Sequence, residues 1–217
     1  MKILISSFIL SSGIASQAAI VLTNGDFSTN STTGWTTTGT VTATSGAAVL
    51  SSGATLAQDF ENGTGLVAFT ASYDVSFGAI NNAHRMRFEG DNGNDLITLR
   101  LASANTIETF NNGSWTSAVT GLSLAANTTY TLSITGTGFG APGFKYTIEI
   151  FSGSTQLGTS VQNLSARHAN GDLTFQTFTL GASTGGMTVD NFTVIPEPAA
   201  ALLGGFGLLG LLRRRRA

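Results

Sequence analysis

Between Leu66 and Phe77 the chain alternates without a break. Val67, Phe69, Ala71, Tyr73, Val75 and Phe77 fall on one side, and Thr70, Ser72, Asp74 and Ser76 on the other. A period of two is the signature of a strand with one buried face and one wet face. The alternation returns in Tyr130, Leu132 and Ile134, and again in Phe144, Tyr146, Ile148 and Ile150. No window of eleven or more residues between Ala19 and Ile195 carries the i, i+3, i+4 pattern of a helix. Strands buried on one face only belong to antiparallel sheets. The expected fold class is therefore all-β: a two-sheet antiparallel β-sandwich, most simply a jelly roll.

Two turn signals set strand pairing. Asn92-Gly93 separates two alternating runs, and an Asn-Gly pair favours the two-residue hairpin turn that matches strand twist. Such a turn pairs Phe88 with Ile97, Met86 with Leu99 and His84 with Leu101, while Arg87 meets Thr98 and Arg85 meets Arg100 on the opposite face. Asn112-Gly113 predicts a second hairpin, with Phe110 against Trp115 and Thr109 against Thr116.

Only 10% of the 217 residues are charged, against about 25% in an ordinary soluble domain. Ser, Thr, Asn and Gly take their place, giving an uncharged, hydroxyl-rich surface suited to sugars and water. There is no cysteine, which excludes disulfides, thiolate metal sites and cysteine nucleophiles together. The formal net charge of −2 hides an uneven distribution, because Lys2 and Arg213 to Arg216 lie at the two ends. From Ala19 to Ile195 five basic residues face eleven acidic ones, a net charge of −6. Nucleic acid is a poor partner for such a field.

Both ends read as processing segments. Lys2, the apolar stretch Ile3 to Leu10 and the small residues through Ala19 form a secretory signal peptide, a helix spanning residues 1–18. At the other end Pro196-Glu197-Pro198 precedes a 14-residue apolar run, Ala199 to Leu212, and then Arg213-Arg214-Arg215-Arg216. A helix over that run reaches about 21 Å, short of the roughly 30 Å hydrocarbon core, so it is a marginal anchor. The four arginines should remain cytoplasmic. This tail, residues 196–217, resembles the PEP-CTERM sorting signal of Gram-negative bacteria. The resemblance implies recognition and removal by an exosortase-type membrane protease, transient residence in the inner membrane, and delivery to the cell surface or extracellular matrix. Residues 19–195 remain as one sandwich domain.

Asn24-Gly25-Asp26-Phe27, Gly34-Trp35 and the closing Val189-Asp190-Asn191-Phe192-Thr193-Val194 resemble the first and last strands of galactose-binding-like and carbohydrate-binding jelly rolls. Those modules often hold a structural calcium between these strands, and the resemblance implies Asp26 and Asp190 as its ligands. The residues also admit a plainer reading, in which Asp26 closes a turn and Asp190 sits at a bulge that moves the inward face from Met187 and Val189 to Phe192 and Val194.

Catalytic candidates are few. Glu89 and Asp91 share a strand face, and their spacing resembles the Glu-x-Asp-x-x-Glu motif of laminarinase-like sandwich enzymes, but the third acid is replaced by Asn94. His84 and His168 are the only histidines and have no metal-ligand spacing. No catalytic residue is expected. The binding candidates are Arg85, Arg87 and Arg100, gathered on one hairpin face, with Trp35 and Trp115 as sugar-stacking rings. Like charges paired across strands repel, so either acids such as Glu108 or Glu149 offset the arginines or an acidic polysaccharide does. The expected function is that of a non-enzymatic envelope or exopolysaccharide-matrix protein. The alternative is a carbohydrate-binding module for extracellular polysaccharide, and a glycoside hydrolase-like enzyme ranks below both.

Overall fold

The computed structural model describes residues 22–59, 68–80, 84–90, 94–111, 113–138, 143–167 and 175–196. The signal segment, Glu197 onward in the sorting tail, Asp91, Asn92, Gly93, Asn112 and His168 lie outside the described residues. The helices expected at the two ends fall there too.

The described residues form strands and no helix. In chain order they are β1 (Thr36–Thr38), β2 (Val41–Thr44), β3 (Ala47–Leu50), β4 (Thr55–Asp59), β5 (Ala68–Phe77), β6 (Arg85–Gly90), β7 (Asp95–Ser103) and β8 (Thr106–Asn111). Then follow β9 (Ser114–Thr120), β10 (Thr129–Thr137), β11 (Lys145–Ser152), β12 (Thr155–Leu157), β13 (Thr159–Ser160), β14 (Leu164–Ser165), β15 (Phe175–Gly181) and β16 (Met187–Pro196). The first sheet has the order β1-β4-β15-β6-β7-β8-β9-β13. The second has the order β12-β11-β10-β5-β16-β3-β2, with β14 added on β11. Every pairing is antiparallel, so the two-sheet sandwich expected from the alternation is the observed architecture.

β5 shows the alternation in its simplest form. Phe69, Ala71, Tyr73, Val75 and Phe77 are all buried, and the residues between them are half-buried on the outer face. The first hairpin pairs Arg85 with Arg100, Met86 with Leu99, Arg87 with Thr98 and Phe88 with Ile97, the expected register. Toward the turn it departs from expectation. A bulge between Phe88 and Glu89 pairs Glu89 with Asp95, leaving Leu96 as the extra residue. Leu96 and Ile97 are consecutive and both fully buried, which a regular pleat cannot achieve and a bulge can. The second hairpin pairs Phe110 with Trp115 and Thr109 with Thr116, as the Asn-Gly turn requires.

Aromatic rings join the sheets. Phe178 of β15 stacks on Phe192 of β16 at 4.2 Å between centroids, and also meets Tyr73 at 5.3 Å and Phe88 at 4.9 Å. The Tyr73 hydroxyl donates across the core to the Met86 sulfur at 2.5 Å, so the buried phenol has a partner. Tyr146 of β11 and Thr109 of β8 join hydroxyls across the same interior.

Replacing Phe192 by Ala removes contacts with three core rings and should lower unfolding free energy by about 3–5 kcal/mol, read from the denaturant midpoint of the full chain. Ile195→Ala on the same strand, at a side chain that is 62% exposed, should stay within about 0.5 kcal/mol. Equal losses at the two positions would contradict the cluster's role.

Candidate functional site

The outer face of β6 to β9 gathers most of the chain's described charge with two aromatic rings. Arg100 donates from Nε to Glu108 at 2.8 Å and forms a 2.7 Å ion pair through Nη2 to the same oxygen. Glu108 stands directly opposite on β8, so it is the acid that offsets the Arg85–Arg100 pairing. Glu149 lies on β11 of the other sheet. Arg87 lies 3.5 Å from Glu89 and 3.7 Å from Asp95.

Sequence reasoning missed Arg167, the fourth arginine of this cluster. Its backbone N–H donates to Leu96 O at 3.0 Å, using the carbonyl of the residue that the bulge inserts. Its guanidinium then pairs with Asp95, reaches Thr98 Oγ1 at 3.3 Å and lies 4.7 Å over the Phe110 ring. The segment arrives from β14, which pairs with β11 in the second sheet. No sequence pattern announces that crossing, because it depends on one carbonyl freed by an irregular pairing.

Trp115 is half-buried at the edge of this cluster. Arg100 sits 4.0 Å over its ring, and Phe110 meets it edge-on at 5.1 Å. An exposed cation–π contact contributes about 0.5–1 kcal/mol and an exposed ion pair about 0–1 kcal/mol. These energies do little for the fold, but they bias these side chains toward one another on the surface. The result is a surface that brings together planar donors, planar acceptors and one half-buried indole.

Trp35, the other stacking candidate, belongs to the core. It is 8% exposed, packs on Phe27 at 5.3 Å and Phe192 at 5.8 Å, and donates its indole N–H to Asn24 O at 3.1 Å. The opening motif explains its position. Gly25 O accepts from Phe192 N–H at 2.8 Å, and a Cβ at Gly25 would lie 2.3 Å from Phe192 O, so only glycine lets the first turn dock on the last strand. That docking buries Trp35 between Phe27 and Phe192, which leaves its ring little surface on which a sugar could stack.

Asp26 and Asp190 occupy the turn and the bulge of the plainer reading. Asp26 Oδ1 accepts from the Ser28 N–H at 3.2 Å and the Ser28 hydroxyl at 3.0 Å. The pairing of β16 with β5 shifts between Asp190 and Thr193, Asn191 takes φ 52°, and buried Met187 and Val189 give way to buried Phe192 and Val194. Asp190 Oδ1 accepts from Asn191 N–H at 2.7 Å. Asp74, paired with Asp190 across the strands, is committed on both oxygens, to Thr131 at 2.6 Å and Asn191 at 2.9 Å. Among the described residues no group of three or more acidic or histidine side chains is placed to hold a metal ion.

Of the catalytic candidates, Glu89 is ion-paired to Arg87 and His84 is fully buried. The His84 Nε2–H donates to Ala79 O at 2.8 Å, and Nδ1 accepts from Ser183 N–H at 3.2 Å. Burial holds this imidazole below the ordinary histidine range. It is a neutral structural residue that clamps two loops.

Neither the protein-family models nor the curated proteins contain a match to this chain. Solved structures do match. The metal-free carbohydrate recognition domain of Emp46p superposes with a TM-score of 0.54 at 13% identity, covering 82% of this chain and 96% of that one. Domain 4 of AbnA, an extracellular GH43 arabinanase from Geobacillus stearothermophilus, solved with arabinotriose, gives 0.51 at 14% identity, covering 75% and 82%. A sialidase gives 0.52 at 11% identity over 74% of this chain, which spans 17% of that protein's length. At these identities the likeness establishes the sandwich architecture.

Partial burial raises the Asp190 carboxyl above its usual value, the Asn191 N–H bond opposes this, and the Asp74 and Asp26 charges add to it. A raised carboxyl disfavours folding once it ionises, and the penalty is relieved as pH falls through its folded-state pKa. Asp190→Asn keeps the acceptor for Asn191 and removes the charge. Its melting temperature in chelator should exceed wild type at about pH 7, with the gain shrinking toward about pH 4. A wild-type melting temperature that rises by several degrees in calcium, with a loss of that rise in Asp190→Asn, would instead place a metal between the two strands.

Proposed function

We propose that this protein is an exported, non-enzymatic glycan-binding sandwich whose contact surface is the outer face of β6 to β9. The observation that carries this reading is Trp115, half-buried and clamped between Arg100 and Phe110 beside a network of guanidinium and carboxylate groups. Arg100 covers one face of the indole, so the accessible remainder of the ring offers its apolar surface to the C–H side of a sugar, and paired Arg and Asp or Glu side chains hydrogen-bond its hydroxyls. The architecture supports the reading by analogy, since it serves as a carbohydrate recognition domain in Emp46p and holds arabinotriose in AbnA. The laminarinase-like acid set lacks its third member at Asn94, and Glu89 is engaged by Arg87, which supports binding without hydrolysis.

The signal segment and the PEP-CTERM-like tail support export and sorting to the cell surface or exopolysaccharide matrix, with an exosortase-type protease as transient partner. In that setting a glycan-binding face would retain the processed protein among extracellular polysaccharides.

Affinity electrophoresis of the protein through gels containing single polysaccharides should show retardation by at least one of them. Trp115→Ala should weaken it by about tenfold or more, and Trp35→Phe should leave it unchanged in any protein that folds. Retardation by none of them, or equal retardation of Trp115→Ala, would contradict the proposal. Intact-mass measurement of the surface fraction should find a chain without Arg213 to Arg216, and a chain that retains them would contradict the sorting assignment.

A further inference from the structure

Resting on that glycan-binding reading, we infer that the ligand is a neutral glycan, held by hydrogen bonds and stacking rather than by charge. The cluster looks cationic in sequence, since Arg85, Arg87 and Arg100 crowd one hairpin face. In the folded protein it is closed electrostatically. Arg100 pairs with Glu108, Arg87 with Glu89 and Asp95, and Arg167 with Asp95. Three guanidinium groups thus meet three carboxylates on one surface. Arg85 is exposed and forms no ion pair among the described residues, and it is a single cation against a domain whose sequence carries a net charge of −6.

An acidic polysaccharide reaching this face would bring its carboxylates against Glu89, Asp95 and Glu108. Any guanidinium N–H it reached on Arg87, Arg100 or Arg167 lies beside one of those carboxylates, and like charges brought together cost free energy. A neutral sugar meets no such conflict. Each of its hydroxyls can donate to an unused carboxylate lone pair and accept from an unused guanidinium N–H, while the pairs stay intact. Glu108 leaves one oxygen outside its bonds to Arg100, which both reach Oε2, and Arg100 leaves Nη1 outside them. Arg100 and Arg167 are each paired with a carboxylate and stacked on Trp115 and Phe110, which lowers the side-chain entropy left to lose on binding. Arg100 is then a positioning residue for the Trp115 ring as well as a donor.

The test runs the full chain through gels of neutral polysaccharides (arabinan, galactomannan, dextran) and acidic ones (alginate, polygalacturonate), at about 0.05 M and about 1 M sodium chloride. A neutral gel should retard the protein with a dissociation constant that changes by less than about twofold between the two salts, because no net charge is being screened. Arg100→Lys keeps the charge but loses the planar stack and the fork, and should weaken that retardation by about fivefold or more. Retardation by acidic gels alone, weakening about tenfold or more in high salt, would overturn the neutral-ligand inference and leave glycan binding standing. Retardation by none of the five gels would overturn both.

Discussion

The contact between Phe178 and Phe192, stacked at 4.2 Å across the interior, is the interaction on which the rest of the sandwich depends. It joins β15 of the first sheet to β16 of the second, and each ring reaches further, Phe178 to Phe88 and Phe192 to Trp35 and Tyr73. Phe192 faces inward only because the bulge after Asp190 inserts an extra residue and reverses the parity of β16. The same carbonyl–amide bond that holds Gly25 to Phe192 seats the opening turn, so the chain's first and last described elements are fixed by one ring and one hydrogen bond. A sandwich without cysteine needs its terminal elements held by packing, and this is where that packing occurs.

Much of the fold could be read from alternation and from Asn-Gly turns. The strand through Tyr73 and both hairpin registers follow from side-chain period and turn length, which act locally. The irregularities could not be read in the same way. The bulge that leaves Leu96 beside Ile97 depends on burial of both side chains at once, a tertiary demand invisible to a period-two pattern. The bulge at Asp190 was legible, because the apolar parity changes openly between Val189 and Phe192. Trp35 was ambiguous for a physical reason: an indole suits a core and a sugar site equally, and only the Gly25 docking decides between them.

The candidate site was half legible. Arg85, Arg87 and Arg100 gather on one face as the hairpin requires, and Trp115 arrives beside them through the second hairpin. Arg167 and Asp95, which turn a positive patch into a closed network, were not legible, because the loop carrying Arg167 is placed by a hydrogen bond to the bulged Leu96. A cluster of arginines in sequence therefore says little about the charge its surface presents. What matters is whether the neighbouring strands and loops return carboxylates to the same face, and here they do.

The central claim is that the outer face of β6 to β9 is a glycan-binding surface organised by Trp115. Mapping amide, indole and guanidinium NMR shifts during titration with an oligosaccharide cut from the retained polysaccharide tests it most directly. The account predicts changes centred on Arg100, Glu108, Phe110 and the Trp115 indole N–H, with Trp35 unmoved in the core. Changes centred on the outer face of the other sheet, at Ser72, Ser133 and Thr193, would contradict it.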